Sequence, residues 1–205
     1  MKYLIAIPAM DMCPTPFAYS LATLKHIGPT RIGMICGAAV HEARNELAKE
    51  AVETGADRVL WLDSDMAFAS DLMEKLAADL DEGWDMVCGI YFKRRMPVTP
   101  VIYKSIEATS GRVEAYRDYP EDSVFPIVGC GFGAVMMNTE LLTRADEEFK
   151  TGPFTPLLRL SEDLSFCARA NSAGARLACD SRVKVGHVGQ IVFGEQMYKH
   201  PGNKA

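Results

Sequence analysis

No stretch of the 205 residues comes near the roughly 18 uninterrupted apolar residues that a membrane-crossing helix requires. The apolar opening from Met1 to Pro8 is too short, and too soon broken by proline, for a secretory signal. The chain therefore reads as soluble and cytoplasmic. Cys-x-x-Cys pairs are missing as well. The six cysteines (Cys13, Cys36, Cys88, Cys130, Cys167 and Cys179) are scattered, most of them inside apolar runs, which argues against a zinc site or a disulfide framework. They are expected to be small buried hydrophobes in a reducing compartment. Internal repeats, low-complexity tracts and linkers are also lacking, so one domain is expected, and 48% apolar residues suffice for its core. A strong charge of either sign is absent too. The formal net charge is -5, with acid dominant from Glu42 to Asp85 and basic clusters at Lys93 to Arg95 and at Lys199 to Lys204. That balance argues against a protein that coats duplexes generally and leaves room for a local basic groove; as solvated faces the same runs need no partner.

What is present alternates between strand and helix patterns. Apolar runs at Lys2 to Pro8, Arg58 to Leu62 and Met86 to Ile90 predict buried strands, the first running into a proline-rich loop from Met10 to Pro16, and Arg31 to Cys36 predicts a further strand. Val40, Ala43, Leu47 and Ala51 recur at helical spacing and are closed by Gly55, which predicts an amphipathic helix with a glycine stop. Ser70 is placed to cap a second helix bearing Leu72, Leu76 and Leu80. Alternating stretches at Val98 to Tyr103 and Arg112 to Tyr116 predict antiparallel ribbons. Beyond them come a glycine turn from Gly129 to Gly133, an apolar run to Asn138, a helix capped by Ser161 and ending at Gly174, and a last strand from Ala175 to Cys179. An α/β domain with a mixed sheet flanked by helices accounts for this order.

The chemistry gathers at four places. The strand from Arg58 ends in Asp63-Ser64-Asp65, and in extended backbone side chains two apart project to one side, so both carboxylates can converge on one cation. A turn aspartate followed by a helix cap would look the same in sequence. Glu162 and Asp163 stand in the first turn of a helix, where the dipole alone favours acids by roughly 0.3–1 kcal/mol each. His187 lies between Gly186 and Gly189, where it serves either as a structural side chain or as a ligand approached closely by backbone. Gly129 to Gly133 is either a bend or a surface on which substrate lies against the main chain. Trp61 and Trp84, inside apolar runs, read as core rather than sugar platforms.

In this order, Asp63-x-Asp65, the glycine turn leading to Asn138, Glu162-Asp163 with Gly174 and Asp180 downstream, and Gly186-His187-Val188-Gly189 resemble glycosyltransferases of the GT-A fold, close to family 2. The resemblance implies a GT-A (nucleotide-diphospho-sugar transferase) fold, with a mixed, mostly parallel sheet flanked by helices. It divides residues 1–205 into a nucleotide-sugar-binding half at about 1–95, an acceptor and catalytic half at about 96–190, and a basic tail at 191–205. It implies an inverting hexosyltransferase using a nucleotide sugar, with UDP as nucleotide. Asp65 and His187 would hold the metal, with Asp63 orienting ribose or a metal-bound water. Pro8, Ala9, Asp11, Arg44, Asn45, Asp63 and Ser64 would line the donor; Arg44 could equally be an exposed helix arginine paired with a glutamate. Asp163 would be the general base and Glu162 a partner for a sugar or acceptor hydroxyl. Gly131, Phe132, Gly133, Arg94 and Arg95 would face sugar and acceptor. A carboxylate and imidazole set completed by diphosphate oxygens suits manganese, with magnesium possible.

For the acceptor the expectations are a hydroxymethylated base in DNA, a polysaccharide or a small molecule; a catalytically silent sugar-nucleotide-binding protein is the alternative of another class. Phosphatases of the haloacid dehalogenase class need the Asp-x-Asp after the first strand, and here it follows a later one, with Ala67 where Thr or Val is usual. Sugar-phosphate nucleotidyltransferases need a basic glycine-rich loop that Ala6 to Asp11 does not supply.

Overall fold

Strands covered by helices on both sides must be apolar on both faces, and the runs at Tyr3, Arg58 and Met86 are. In the computed structural model, which describes residues 1–189 and 192–199, they form the middle of the sheet. The elements are β1 (Tyr3–Ala9), α1 (Thr15–Thr23), β2 (Thr30–Cys36), α2 (Val40–Glu53), β3 (Arg58–Leu62), β4 (Met66–Ala67) and α3 (Leu72–Asp81). They continue with β5 (Met86–Ile90), β6 (Ile102–Glu107), β7 (Arg112–Ala115), β8 (Val124–Pro126), β9 (Gly129–Cys130), β10 (Ala134–Asn138) and α4 (Glu140–Asp146). The last are α5 (Glu162–Ser172), β11 (Leu177–Lys184), β12 (Gly186–Val188), β13 (Val192–Phe193) and α6 (Glu195–Tyr198).

The main sheet has the order β2-β1-β3-β10-β5-β11-β8. β2, β1 and β3 are parallel, β10 runs against both β3 and β5, β11 is parallel to β5, and β8 closes the edge antiparallel. The expected mixed, mostly parallel sheet is therefore present. Period-2 alternation divides its side chains between two cores. Leu4, Ala6, Val59 and Trp61 pack with Leu47 and Ala51 of α2, Leu141 of α4 and Phe166 of α5. Ile5, Ile7, Leu60 and Leu62 pack on the other face with Phe17 of α1 and Leu72, Leu76 and Leu80 of α3. The ribbon of β6 and β7 turns at Gly111, with φ +71°, and β6 also pairs with β9.

Several expectations needed correction. The proline-rich loop gives way at Thr15 to helix α1, because proline in a first turn lacks only an N–H that the helix does not use there. Asp71, not Ser70, occupies the cap position of α3, and the Ser70 carbonyl instead accepts from the Lys25 amide. The last long strand runs past Asp180 to Lys184. Cys88, Cys130, Cys167 and Cys179 are buried as expected, whereas Cys13 and Cys36 are exposed. Trp61 is core, and Trp84 is partly buried beneath the Arg176 guanidinium, 4.6 Å from its ring centroid. Among the described residues no helix is long and apolar enough to cross a membrane.

Asp180 ends up beside Asp79 of α3, both carboxylates buried and sharing one cation, Arg182 (2.9 Å to Asp79, 2.8 Å to Asp180). Burial first, then the Asp180 charge, pushes the Asp79 carboxyl up to about 7. Between the ordinary aspartate range and that value the folded chain holds a proton that the unfolded chain has released. Stability contributed here is complete at low pH and is lost as pH rises through that window. Asp79→Asn, neutral throughout, is expected to raise the melting temperature at about pH 8 and leave it nearly unchanged at about pH 4. In a protein of this size the rise should be roughly 2–4 °C for each kcal/mol recovered. A variant melting lower than the parent at the higher pH would refute this account of the pair.

Candidate active site

Three parallel strands, β2, β1 and β3, deliver their C-terminal ends to one edge of the sheet, where open α/β sheets form their crevice. Pro8, Ala9 and Met10 come from the end of β1, and Gly37, with φ +74°, turns the chain after β2 so that Ala38 and Val40 reach the same place. After β3 the chain turns through Asp63, Ser64 and Asp65, the Met66 amide donating to the Asp63 carbonyl at 3.3 Å, so a turn and not extended backbone aims the two carboxylates. These residues, with Ala43 and Arg44 of α2, Glu162 and Asp163 of α5, His187 of β12 and Arg94 after β5, line a cavity of about 330 Å³. Residues from both ends of the chain therefore share it.

His187 is brought in by pairing: β12 lies antiparallel to β4 with His187 opposite Met66, and the Val188 amide donates to the Asp65 carbonyl at 2.8 Å. The imidazole Nδ1 lies 3.0 Å from the Phe92 carbonyl oxygen, and Nε2 lies 3.4 Å from Asp65 Oδ2. A carbonyl can only accept, so Nδ1 carries the hydrogen. In the neutral ring Nε2 then presents a lone pair to a carboxylate oxygen, an arrangement that calls for a positive charge between or beside them. An imidazole anchored to a backbone carbonyl through its other nitrogen is also how metal-binding histidines are oriented. Arg94 Nη1 meets Asp65 Oδ2 at 2.8 Å and the Val188 carbonyl at 2.9 Å. Burial raises the Asp65 carboxyl, but a protonated His187, whose Nε2–H would then donate to it, outweighs that together with Arg94 and leaves it below the usual range.

Behind this pair lies a second. Arg44 is 2% exposed, with its guanidinium carbon 5.0 Å from the ring centroid of Phe132, 5.8 Å from Phe154 and 6.0 Å from Trp61. Its Nη2 donates to Asp63 Oδ1 at 2.7 Å and its Nε lies 3.5 Å from Glu162 Oε1, while Nε and Nη1 have no hydrogen-bond partner among the described residues. The exposed-helix alternative for Arg44 is thus excluded. Burial is the main cause that raises the Asp63 carboxyl, with Arg44 opposing and Asp65 and Asp163 assisting. Burial, then Asp163, likewise raises Glu162. Asp163 itself takes the Ser161 hydroxyl and its neighbour's amide, Leu164 N at 2.7 Å, on Oδ1. The described residues bring no donor to its Oδ2.

Some anticipated residues fall elsewhere. Successive helix positions lie about 100° apart, so Asn45 points away from the cavity that Arg44 enters. Its amide instead accepts from Phe154 N at 2.8 Å and donates to Thr155 at 3.2 Å, fixing the 152–155 loop. Asp11 is exposed and does not line the cavity. Gly131, Phe132 and Gly133 are buried rather than open to substrate. A Cβ on Gly131 would overlap the Tyr91 hydroxyl, and one on Gly133 would come within 2.7 Å of Met66. These glycines are required by packing, and Phe132 supports Arg44. Arg95 is exposed and outside the cavity lining, whereas Arg94 faces the Asp65 side. Lys199 is held by Glu121 at 3.0 Å and Glu195 at 3.2 Å, and the rest of the basic tail, 200–205, lies outside the described residues. Met10, Ala38, Val40, Ala43 and the Phe92 carbonyl were not anticipated. The crevice rule for open sheets was the available signal for those after β1 and β2; nothing in the sequence marks the carbonyl.

The sequence matches no known family profile and no curated protein. Solved structures do resemble it. A197 from STIV superposes with a TM-score of 0.68 at 23% identity, covering 92% of this chain and 86% of that one. GalNAc-T7 with UDP, GalNAc and Mn2+ gives 0.65 at 9% identity, covering 92% of this chain and 43% of that one. S. aureus TarS 1–349 gives 0.52 at 15% identity, covering 87% and 58%. The chain thus spans less than two thirds of the latter two. With its strand order, mixed sheet and these superpositions, the protein has the GT-A-type fold of glycosyltransferases.

Proposed function

We propose that this protein is a metal-dependent, inverting glycosyltransferase that moves a sugar from a nucleoside diphosphate sugar, with UDP as nucleotide, to an acceptor hydroxyl. The observation that carries the reading is the placement of His187 Nε2 3.4 Å from Asp65 Oδ2 in the cavity wall, with the ring's other nitrogen anchored on the Phe92 carbonyl. It supports a divalent cation, manganese by its ligand types with magnesium possible, held by these two side chains. No group of three such side chains converges among the described residues, so phosphate and water oxygens are needed to complete the shell. The presence of UDP and Mn2+ in the GalNAc-T7 structure, a protein of the same fold, agrees with this assignment.

Charge supports it too. Four carboxylates (Asp63, Asp65, Glu162, Asp163) face the cavity with two guanidiniums, Arg44 and Arg94, and a diphosphate would meet net repulsion there. At an effective dielectric of about 20, unit charges about 4 Å apart interact by about 4 kcal/mol. Bound at Asp65 and His187, a divalent ion supplies charge that stabilises the leaving diphosphate more in the transition state than in the ground state. The chain's own residues do the rest. Pro8, Ala9 and Ser64 line the nucleotide, and Asp63, fixed by Arg44, orients ribose or a metal-bound water. Asp163 takes the acceptor's proton on Oδ2 as the oxygen attacks the sugar from the face opposite the diphosphate, which inverts the configuration. Glu162 binds a sugar or acceptor hydroxyl. Among the described residues of the basic clusters, Arg94 is turned to Asp65 and Lys199 is tied to two glutamates, so these two do not offer their charge to a DNA backbone. A polysaccharide or small-molecule acceptor is the better reading than hydroxymethylated DNA.

Calorimetry with UDP, with and without Mn2+, tests this. Asp65→Asn and His187→Ala are each expected to weaken metal-dependent UDP binding by about 10²-fold or more, with unchanged circular dichroism. Undiminished binding in the His187 variant would remove the histidine from the site, and metal-independent binding by the parent would end the reading.

A further inference from the structure

Arg94 and Arg44 each hold one aspartate of the Asp63-Ser64-Asp65 segment, yet they do so differently. Arg44 is sealed in an aromatic cage, whereas the Arg94 side chain is 43% exposed and reaches Asp65 from the loop that follows β5. Its Nη1 donates a hydrogen bond to the Val188 carbonyl and meets Asp65 Oδ2 at 2.8 Å as an ion pair, so one backbone contact and one charge contact hold the guanidinium. Asp65 Oδ2 faces Arg94 Nη1 at 2.8 Å and His187 Nε2 at 3.4 Å. A divalent ion held between Oδ2 and Nε2 would bring its charge against the guanidinium already beside that oxygen. His187 is fixed from behind by the Phe92 carbonyl, so the mobile partner is the guanidinium, which cannot lose its proton and is repelled by the arriving charge.

We propose that Arg94 is a charge-exchange residue of the donor site: it is the counter-ion of Asp65 until a divalent cation takes Oδ2, and it then turns its guanidinium to the phosphate oxygens of the donor. The inference rests on the reading of Asp65 and His187 as cation ligands. Phosphate oxygens in the cation's shell already couple cation and nucleotide. Because Arg94 competes with the cation and is drawn off by phosphate, it adds to that mutual strengthening, by the same factor in either order, and its removal should tighten the cation alone. An exposed ion pair is weak enough to be exchanged in this way. The Lys93 to Arg95 cluster then belongs, through Arg94, to donor recognition rather than to the acceptor.

The experiment is a set of Mn2+ titrations, read by the loss of the free-ion electron paramagnetic resonance signal and by calorimetry, with and without saturating UDP. The parent, Arg94→Gln, Arg94→Lys and Asp65→Asn are compared. Arg94→Gln is expected to bind Mn2+ alone about fivefold tighter, the factor that corresponds to about 1 kcal/mol. With Mn2+ saturating, it should bind UDP at least about fivefold more weakly, so the mutual strengthening seen in the parent shrinks; Arg94→Lys should fall between. A merely structural arginine would not give tighter metal binding on its removal. If Arg94→Gln binds Mn2+ alone no more tightly, or keeps the full strengthening by UDP, while Asp65→Asn abolishes metal binding, the exchange is overturned and the cation site stands. If Asp65→Asn binds Mn2+ and UDP as the parent does, or the parent binds no Mn2+, the cation reading fails and Arg94's exchange fails with it.

Discussion

Asp163→Asn is expected to lower sugar transfer by about 10²- to 10⁴-fold, the range that general bases contribute, while UDP affinity in Mn2+ stays within about twofold. The split follows from where the carboxylate stands. Ser161 and the Leu164 amide both bond Oδ1, so an asparagine keeps that anchor through its own oxygen and presents an amide where Oδ2 stood. Orientation survives and basicity does not. Glu162→Gln should cost less, since binding a hydroxyl needs no net charge. Single-turnover transfer and calorimetry on the same preparations separate the two effects. A fully active Asp163→Asn protein, or a product that retains the anomeric configuration, would remove the proposed base.

Arg44→Met is expected to be the most damaging single change to the fold near the site. The thioether fits the cage of Phe132, Phe154 and Trp61, but Asp63 and Glu162 lose the guanidinium that offsets their burial. Breaking a buried pair from one side typically costs about 3–5 kcal/mol, or roughly 6–20 °C in melting temperature at this size. Without Arg44 both carboxyls rise further above their unfolded values, so the loss should grow as pH rises from about 5 to about 8. Adding Glu162→Gln should recover part of the loss, because one of the two stranded charges disappears. Thermal melts at the two pH values check both statements. A single variant melting within about 1 °C of the parent would show that Asp63 and Glu162 do not depend on Arg44.

Local features carried most of the architecture. The two-sided apolar strands at Tyr3, Arg58 and Met86 and the repeats of α2 and α3 were legible because period and punctuation are properties of neighbouring residues. Asp63 and Asp65 do line one cavity, but the turn after β3 sets them there rather than extended backbone, and each meets different partners, Arg44 for the first and Arg94 and His187 for the second. Other features came only with the tertiary structure. β10 inserts antiparallel between β3 and β5, a choice made by pairing partners distant in the chain. The pairing of β12 with β4 sets His187 against Asp65, and the Phe92 carbonyl chooses its tautomer. Arg44 and Asn45, adjacent in sequence, part company because one helical step turns one to the cavity and the other to the 152–155 loop. Gly131 and Gly133, equally compatible with a substrate surface, are required by Tyr91 and Met66 from other elements. Arg94, one residue of a basic run, became a counter-ion to Asp65. By itself the sequence determined which residue types stand at the sheet edge. Which of them face one another is a matter of long-range packing, since contact between distant residues has no local period to announce it.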